Sequence, residues 1–294
     1  MNKVTIKVPA TSANLGPGFD SVGCAWNIFN EFSFALGGNG LVIDGCDKEF
    51  QNENNLCIVA YNAVLDKLNL QHDNLHLTIK AEVPVARGLG SSSTLISAGA
   101  FAANCLHGSP LSTDELFYIC NKIEGHPDNL APAIFGGLTV SIQENGVPYT
   151  VGYDIDDGIC FYALIPDFEL STEKARGVLP KSVDFKDAVF NLSRVAVLLK
   201  SLENGDIDMI KLSLSDKLHQ PYRFQLIDEY EKVKAIVDGI QKSSVCISGA
   251  GSTLLVISDD KDFKLKTENQ FSALKNKWQV VELSVNKTGI QIIK

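Results

Sequence analysis

The segment Pro84-Val-Ala-Arg-Gly-Leu-Gly-Ser-Ser-Ser-Thr94 has the residue types needed to hold an anion with main-chain groups. Gly88 and Gly90 let the backbone adopt positive φ and come close to a ligand. Ser91, Ser92 and Ser93 then open a run of small and apolar residues, where unpaired N–H groups and the helix dipole favour a phosphate. An ordinary Gly-Ser turn capping a helix has the same composition, and cradle and cap stand level on these residues alone. No G-x-x-x-x-G-K-S/T loop occurs in the chain, and Ser93 stands where a dinucleotide fingerprint needs its third glycine. No G-x-S-x-G elbow is present, and no His or acid is recognisably placed to activate the serines, so a serine hydrolase is disfavoured.

Three further segments carry polar groups among small residues. Glu124-Gly-His-Pro-Asp-Asn129 gathers Glu124, His126, Asp128 and Asn129 into six residues. Mg²⁺ takes one or two carboxylates together with phosphate oxygens, so such a segment beside a phosphate cradle suits that metal. Asp128 or Asn129 would equally cap the next helix. Pro9-Ala-Thr-Ser-Ala-Asn-Leu-Gly-Pro-Gly-Phe-Asp20 follows a strand with one amide and one carboxylate, Asn14 and Asp20. Ser248-Gly-Ala-Gly-Ser-Thr253 joins two apolar runs and reads as a glycine-rich hairpin connection, or as a turn that closes over a nucleotide from the other half of the chain. The chain holds only four arginines against 22 lysines. Arg87, Arg176 and Arg223 fall near Gly or Pro, Arg194 lies on an amphipathic stretch, and Arg grips carboxylates bidentately where Lys does not.

These groups need elements to position them. Alternation over 75–85 predicts a strand leading into the glycine loop, and Ser91 to Leu106 predicts a buried helix after it. Helices are expected over 55–69 and 112–124, the second opened by the capping-box pattern Ser112-Thr-Asp-Glu115, with a strand over 137–143. The second half reads as a strand at 159–165, helices near 186–203, 205–219 and 226–240, strands at 245–248 and 253–257, a helix at 261–276 and a strand at 278–285. That is β-α-β-β-α-β, the ferredoxin-like order. The expected fold class is α+β in two domains, 1–153 and 154–294, with Gly, Asp and Pro interrupting the pattern around 150–157.

The bulk composition narrows the function classes. The 294 residues are 45% hydrophobic and 21% charged, ordinary for a globular protein. No apolar run approaches the roughly 18 residues of a membrane span, so no membrane partner is expected. Net charge is −9, with 7 Lys and Arg against 14 Asp and Glu in residues 1–150. An acidic surface without basic clusters repels phosphate backbones, so no nucleic acid is expected either. The odd count of seven cysteines, with no C-x-x-C pair, suits core residues in a reducing compartment. Met1-Asn2-Lys3 runs straight into the alternating Val4, Ile6, Val8 with no charged leader and apolar block, and the expected location is cytoplasmic.

Taken in order, Pro9–Asp20, Pro84–Thr94 and Ser248–Thr253 resemble the three motifs of the GHMP kinases, over essentially the whole chain. Glu124–Asn129, Ser171-Thr172 with Ala175-Arg176 and Leu179-Pro180, and His219-Gln-Pro-Tyr-Arg223 resemble the homoserine kinase branch of that superfamily. The resemblance implies phosphorylation of L-homoserine by ATP in threonine biosynthesis, with Mg²⁺ and the site between two domains; homodimers are common in the family. It implies that Pro84, Arg87, Gly88, Leu89, Gly90, Ser91, Ser92, Ser93 and Thr94 wrap the ATP phosphates, with Asn55 near the adenine and Gly249 and Gly251 in the closing turn. Ser92 and Glu124 are the implied Mg²⁺ ligands. Asn14, Asp20, His126, Asp128, Thr172, Arg176 and Arg223 are the implied homoserine site, with His126, Asn129 and Arg176 as the catalytic candidates. Homoserine's carboxylate suits the arginines and its ammonium suits Asp20 or Asp128. Phosphoryl transfer depends on in-line positioning and charge neutralisation, so no dedicated side-chain base is expected. The rivals are a mevalonate- or sugar-type GHMP kinase and a nucleotide sensor without catalysis.

Overall fold

A computed structural model describes residues 2–293. The first half folds as β1 (Lys3–Ala13), β2 (Val22–Leu36), β3 (Leu41–Asp44), α1 (Leu56–Lys67), β4 (Leu75–Ala81), α2 (Ser91–Leu106), α3 (Thr113–Glu124), α4 (Leu130–Phe135), β5 (Leu138–Glu144) and β6 (Val147–Tyr153). The second half continues with β7 (Cys160–Pro166), α5 (Thr172–Gly177), α6 (Phe185–Asn204), α7 (Ile207–Ser213), α8 (Gln220–Arg223), α9 (Tyr230–Asp238), β8 (Ser243–Ile247), β9 (Leu254–Ser258), α10 (Phe263–Ser272), β10 (Trp278–Leu283) and β11 (Gln291–Ile293). Two sheets result. One runs β11-β1-β2-β4-β3, with β5 and β6 continuing from β2; the other runs β10-β7-β9-β8 with every neighbour antiparallel, the ferredoxin-like arrangement.

The expected elements differ from the observed ones for identifiable reasons. β4 stops at Ala81 because the Asn30 side-chain oxygen Oδ1 accepts the next two N–H groups, Glu82 and Val83, at 2.9 Å each, and Pro84 has none to donate. The stretch expected as one helix over 205–219 ends at Ser213, since the Asp216 carboxylate draws the N–H groups of Leu218, His219 and Gln220 into a separate turn. β1 runs on to Ala13, so Thr11 and Ser12 are strand residues rather than loop. β2, β3, β6, β11, α5 and α8 were not anticipated; α4 is the helix expected after Asn129, with Asn129 as its N-cap but no side-chain cap bond. β2 mixes small, polar and apolar residues because it is central and its pairing with β1 shifts register between Pro9 and Ala10, which erases a clean alternation. β11 returns to pair with β1, so the last residues rejoin the first sheet.

Three apolar clusters hold this frame. Val4, Ile6, Phe32 and Phe34 of the first sheet pack under α1 and α2. Tyr162, Val256, Phe263 and Trp278 pack α9 and α10 on the outer face of the second sheet. Between the sheets, Leu15, Trp26, Phe161, Leu198 and Leu255 form a shared core, with the Trp26 and Phe161 rings 5.1 Å apart. β7 therefore buries both faces, which explains the unbroken apolar run of its sequence. α2 is buried almost throughout. Its N-terminus opens where the two halves meet, and the candidate site is there.

Candidate active site

The glycine loop is shaped by backbone constraints. Gly88 and Gly90 have φ of 73° and 72°. A Cβ on Gly88 would lie 2.2 Å from the Ser248 carbonyl oxygen, and one on Gly90 would lie 2.0 Å from Thr11 Oγ1. Both the sign of φ and the close approach exclude a side chain. Gly90 is the N-cap of α2 and has no side chain with which to cap it. The serine hydroxyls do not cap it either: Ser92 Oγ donates to Glu124 Oε2 at 2.7 Å and Ser93 Oγ to Oε1 at 3.3 Å. The opening N–H groups of α2 are therefore left without a side-chain cap and point out of the helix end.

Ser92 and Glu124 are thus in direct contact. α3 delivers Glu124 at its last turn; its N-terminus carries the expected capping box of Ser112 with Glu115. Burial pushes the Glu124 carboxyl above its usual pKa, only partly offset by the Ser92 hydroxyl. Among the described residues no group of three or more His, Cys, Asp or Glu could hold a metal ion. One carboxylate with one hydroxyl is instead a partial set of hard oxygen donors, which phosphate oxygens would complete. Ser93 is fully buried, and Ser91 makes no recorded contact with Glu124.

The third motif backs the loop. Ser248 Oγ donates to the Gly88 carbonyl at 2.6 Å, Thr253 N–H to the Arg87 carbonyl at 3.1 Å, and Gly249 N–H to the Ala13 carbonyl at 2.9 Å. Gly249 and Gly251, both with positive φ, therefore sit behind the cradle. The Arg87 side chain turns away from the serines. It donates to the carbonyls of Val85, Pro166 and Asp167 and pairs with Glu169 at 3.2 Å, fastening the loop to the end of β7. Pro84 lies three residues beyond the end of β4, and Leu89 is buried in the core between the sheets. Asn55 caps α1: its Oδ1 accepts from Cys57 N–H and its Nδ2 donates to the Phe50 carbonyl.

A second cluster adjoins the first. Arg176, on α5, makes a two-point ion pair with Asp20, Nη2 to Oδ1 at 2.7 Å and Nη1 to Oδ2 at 3.1 Å. Thr172 opens α5 and is exposed, with Ser171 as its N-cap. Arg223 is 1% exposed and, among the described residues, has no carboxylate within ion-pair distance. It donates from Nε to the Ala175 carbonyl and from Nη1 to the Gly249 carbonyl, both at 3.2 Å. Burial and the neighbouring Arg176 push its pKa down to about 10, so it stays cationic at neutral pH. Phe19 lies beneath both guanidinium groups, 5.1 Å from Arg223 and 5.7 Å from Arg176.

Asp128 is 2% exposed, and its Oδ1 lies 3.3 Å from His126 Nδ1 while accepting the Asn129 N–H. The His126 ring is angled so that this is a charge contact and not a hydrogen bond. The Asp128 carboxylate holds the His126 pKa above its usual value. Asn129 accepts from Thr11 Oγ1 at 2.8 Å and lies against Gly90, on the phosphate side. Asn14 spends its amide internally, donating to the Gly249 carbonyl and accepting the Asp20 N–H. Sequence reasoning assigned no role to Phe19 or His219, although both lie in the motifs it quoted, and passed over Asp216. A cavity lined by Tyr153, Asp157, Lys261 and Glu282 shares no residue with this site.

Comparison with known proteins agrees with the geometry. The profile described as "GHMP kinases N terminal domain" matches residues 55–137, and "GHMP kinases C terminal" matches 198–277. The chain is 45% identical over 288 residues, 97% of both chains, to a homoserine kinase of Clostridium botulinum (strain Okra / Type B1). It is 40% identical over 294 residues, 99% of both, to a homoserine kinase of Clostridium beijerinckii. A solved homoserine kinase from Cytophaga hutchinsonii superimposes with a TM-score of 0.89 at 26% identity, over 100% of this chain and 98% of the other. Staphylococcus aureus mevalonate diphosphate decarboxylase, at 13% identity and a TM-score of 0.74, shares the fold. Aligning with these relatives almost end to end, the chain belongs to the GHMP kinase family, in its homoserine kinase branch.

Proposed function

We propose that the chain transfers the γ-phosphoryl group of ATP to the hydroxyl of L-homoserine, giving O-phospho-L-homoserine for threonine biosynthesis, with Mg²⁺. One observation carries the amino-acid half of this reading: Arg223 is a fully buried cation without a carboxylate partner among the described residues. A buried charge is costly unless paired, and a ligand carboxylate would pair it. Arg176 and Asp20 beside it offer the complement of a zwitterion. An amino acid can exchange their internal ion pair for two new ones, its carboxylate to Arg176 and its ammonium to Asp20. A hydroxy acid without an amino group would leave Asp20 unpaired, which disfavours mevalonate-type substrates. In this reading residues 1–153 supply the phosphate side, and 154–294 supply the arginines and the backing turn.

Bound Mg-ATP supplies the phosphoryl group and the counter-charge for its oxygens. The α2 N-terminus and Ser91–Ser93 hold the phosphates, Ser92 and Glu124 hold the metal, and Asn129 lines the cradle beside Gly90. His126 is poorly suited to remove the hydroxyl proton, because Asp128 keeps its imidazole in the cationic form to higher pH than usual. Its role is charge on the substrate side, and transfer proceeds by positioning without a dedicated base. Thr172 and Asn14 shape the rim of the amino-acid site. A homodimer and a cytoplasmic setting accompany this reading; among the described residues no helix is long and apolar enough to cross a membrane.

The test is ADP release with Mg-ATP and, separately, L-homoserine, 4-hydroxybutanoate, mevalonate and galactose. Turnover confined to homoserine and abolished by EDTA is expected. Comparable turnover of 4-hydroxybutanoate would sink the zwitterion exchange, and ATP binding without turnover of any acceptor would favour a sensor.

A further inference from the structure

His219 is fully buried at the N-terminus of α8, one turn before Arg223. Its Nε2 lies 2.8 Å from the Gly16 carbonyl oxygen, which only accepts, so Nε2 carries the proton. Its Nδ1 lies 3.5 Å from Arg223 Nη1, which only donates, so Nδ1 must present its lone pair. A single tautomer meets both demands, the neutral ring protonated at Nε2. Burial favours that neutral form by lowering the His219 pKa.

The ring is also held still. Asp216 accepts the N–H groups of Leu218, His219 and Gln220 at 2.9, 2.9 and 2.6 Å, and Asn191 Nδ2 secures the same carboxylate at 2.6 Å. Phe19 stacks on the imidazole with centroids 5.1 Å apart and an interplanar angle of 23°. Arg223 Nη1 is thereby flanked by two fixed acceptors, His219 Nδ1 and the Gly249 carbonyl. Nε is taken by Ala175, and no protein acceptor among the described residues meets Nη2.

We propose that His219 is a positioning residue whose neutral Nδ1 aims the Arg223 guanidinium so that its Nη2 edge is presented to the substrate carboxylate. The proposal rests on the reading of Arg223 as the carboxylate clamp. At 3.5 Å the contact is long, so its effect is on direction more than on stability. The ring's second tie, to Gly16, links the same residue to the loop that carries Asp20, but aiming is assigned to Nδ1.

Two substitutions separate the ring's functions. His219→Asn places an amide oxygen near the Nδ1 position and loses the reach to Gly16; His219→Gln reaches toward Gly16 and loses the Nδ1 acceptor. Steady-state kinetics of both, with thermal melting as a folding control, are compared with wild type. KM for homoserine is expected to rise about 10-fold or more in the Gln variant, on the scale of a hydrogen bond to a charged group. It should stay near wild type in the Asn variant, with KM for ATP unmoved in both. The reverse order would assign the role to the Gly16 tie, and equal losses in both would reduce His219 to packing; either overturns the proposal, as does a Gln variant indistinguishable from wild type. A wild-type enzyme inactive on homoserine would instead overturn the functional reading on which the proposal stands.

Discussion

On the phosphate side of the site, the groups that would meet an anion are main-chain N–H donors at the start of α2, with one hydroxyl–carboxylate pair beside them. On the amino-acid side they are the charged side chains of Asp20, His126, Asp128, Arg176 and Arg223, with Phe19 beneath the two arginines. The first side is local, formed where a loop with positive-φ glycines meets the start of a buried helix. The second is assembled across the chain, and its charges are unevenly satisfied: Asp20 and Arg176 cancel each other, while Arg223 is buried with no counter-ion among the described residues. A phosphate cradle serves many acceptors, whereas a set of paired and unpaired charges selects one class of acceptor. Specificity therefore resides on the second side.

Arg223→Ala tests that division with the largest expected effect. Removing one partner of a buried charge pair costs enough to lower kcat/KM for homoserine by about 10³-fold. KM for ATP should not change, since the cradle is built elsewhere. The ligand-free variant should melt close to wild type, because relief of a buried cation is set against the loss of its bonds to the Ala175 and Gly249 carbonyls and of the volume it fills. A matching loss of ATP affinity would show that the two sides are one unit.

Glu124→Gln probes the phosphate side. Loss of a metal-binding carboxylate should lower kcat about 10²-fold, within the several kcal/mol a metal supplies. Its stability effect has the opposite sign. The folded-state pKa of Glu124 lies above its ordinary 4.5, so the native protein holds this proton more tightly than the unfolded chain. In metal-free buffer, stability falls as pH rises from about 4.5 through that raised value. The Gln variant should lack this component and melt higher than wild type at neutral pH. A variant that melts lower without metal would mean that the carboxylate is needed for folding and not kept for a cation.

The two sides also differed in how far sequence revealed them. The cradle was legible because it lies in one stretch: Pro84–Thr94 names its own glycines, and Ser91–Leu106 came out with its helix limits intact. The pairing of Ser92 with Glu124 follows from α3 packing against α2, and in the sequence only the family resemblance put the two residues together. Asp20 and Arg176 were both suspected, yet nothing in their spacing showed that they pair with each other across 156 residues. Phe19 and His219 stood inside the quoted motifs without a role, because an aromatic ring and a buried imidazole carry no local mark of what they support. β2 was missed for a similar reason, since a central strand with a register shift loses the alternation that betrays simpler strands.

Asn55 gives the smallest and sharpest comparison, because the two sides of the argument predict opposite readouts. Family resemblance puts it near the adenine, while the structure commits both ends of its amide to Cys57 N–H and the Phe50 carbonyl. If capping is its work, Asn55→Ala should cost about 1 kcal/mol of stability and leave KM for ATP unchanged. Asn55→Asp should recover most of that stability, since a carboxylate caps as well and is favoured at a helix N-terminus. A rise in KM for ATP with melting unchanged would return Asn55 to the nucleotide. In that case the cap at α1 would be incidental, and the phosphate side would extend well beyond the glycine loop that defines it here.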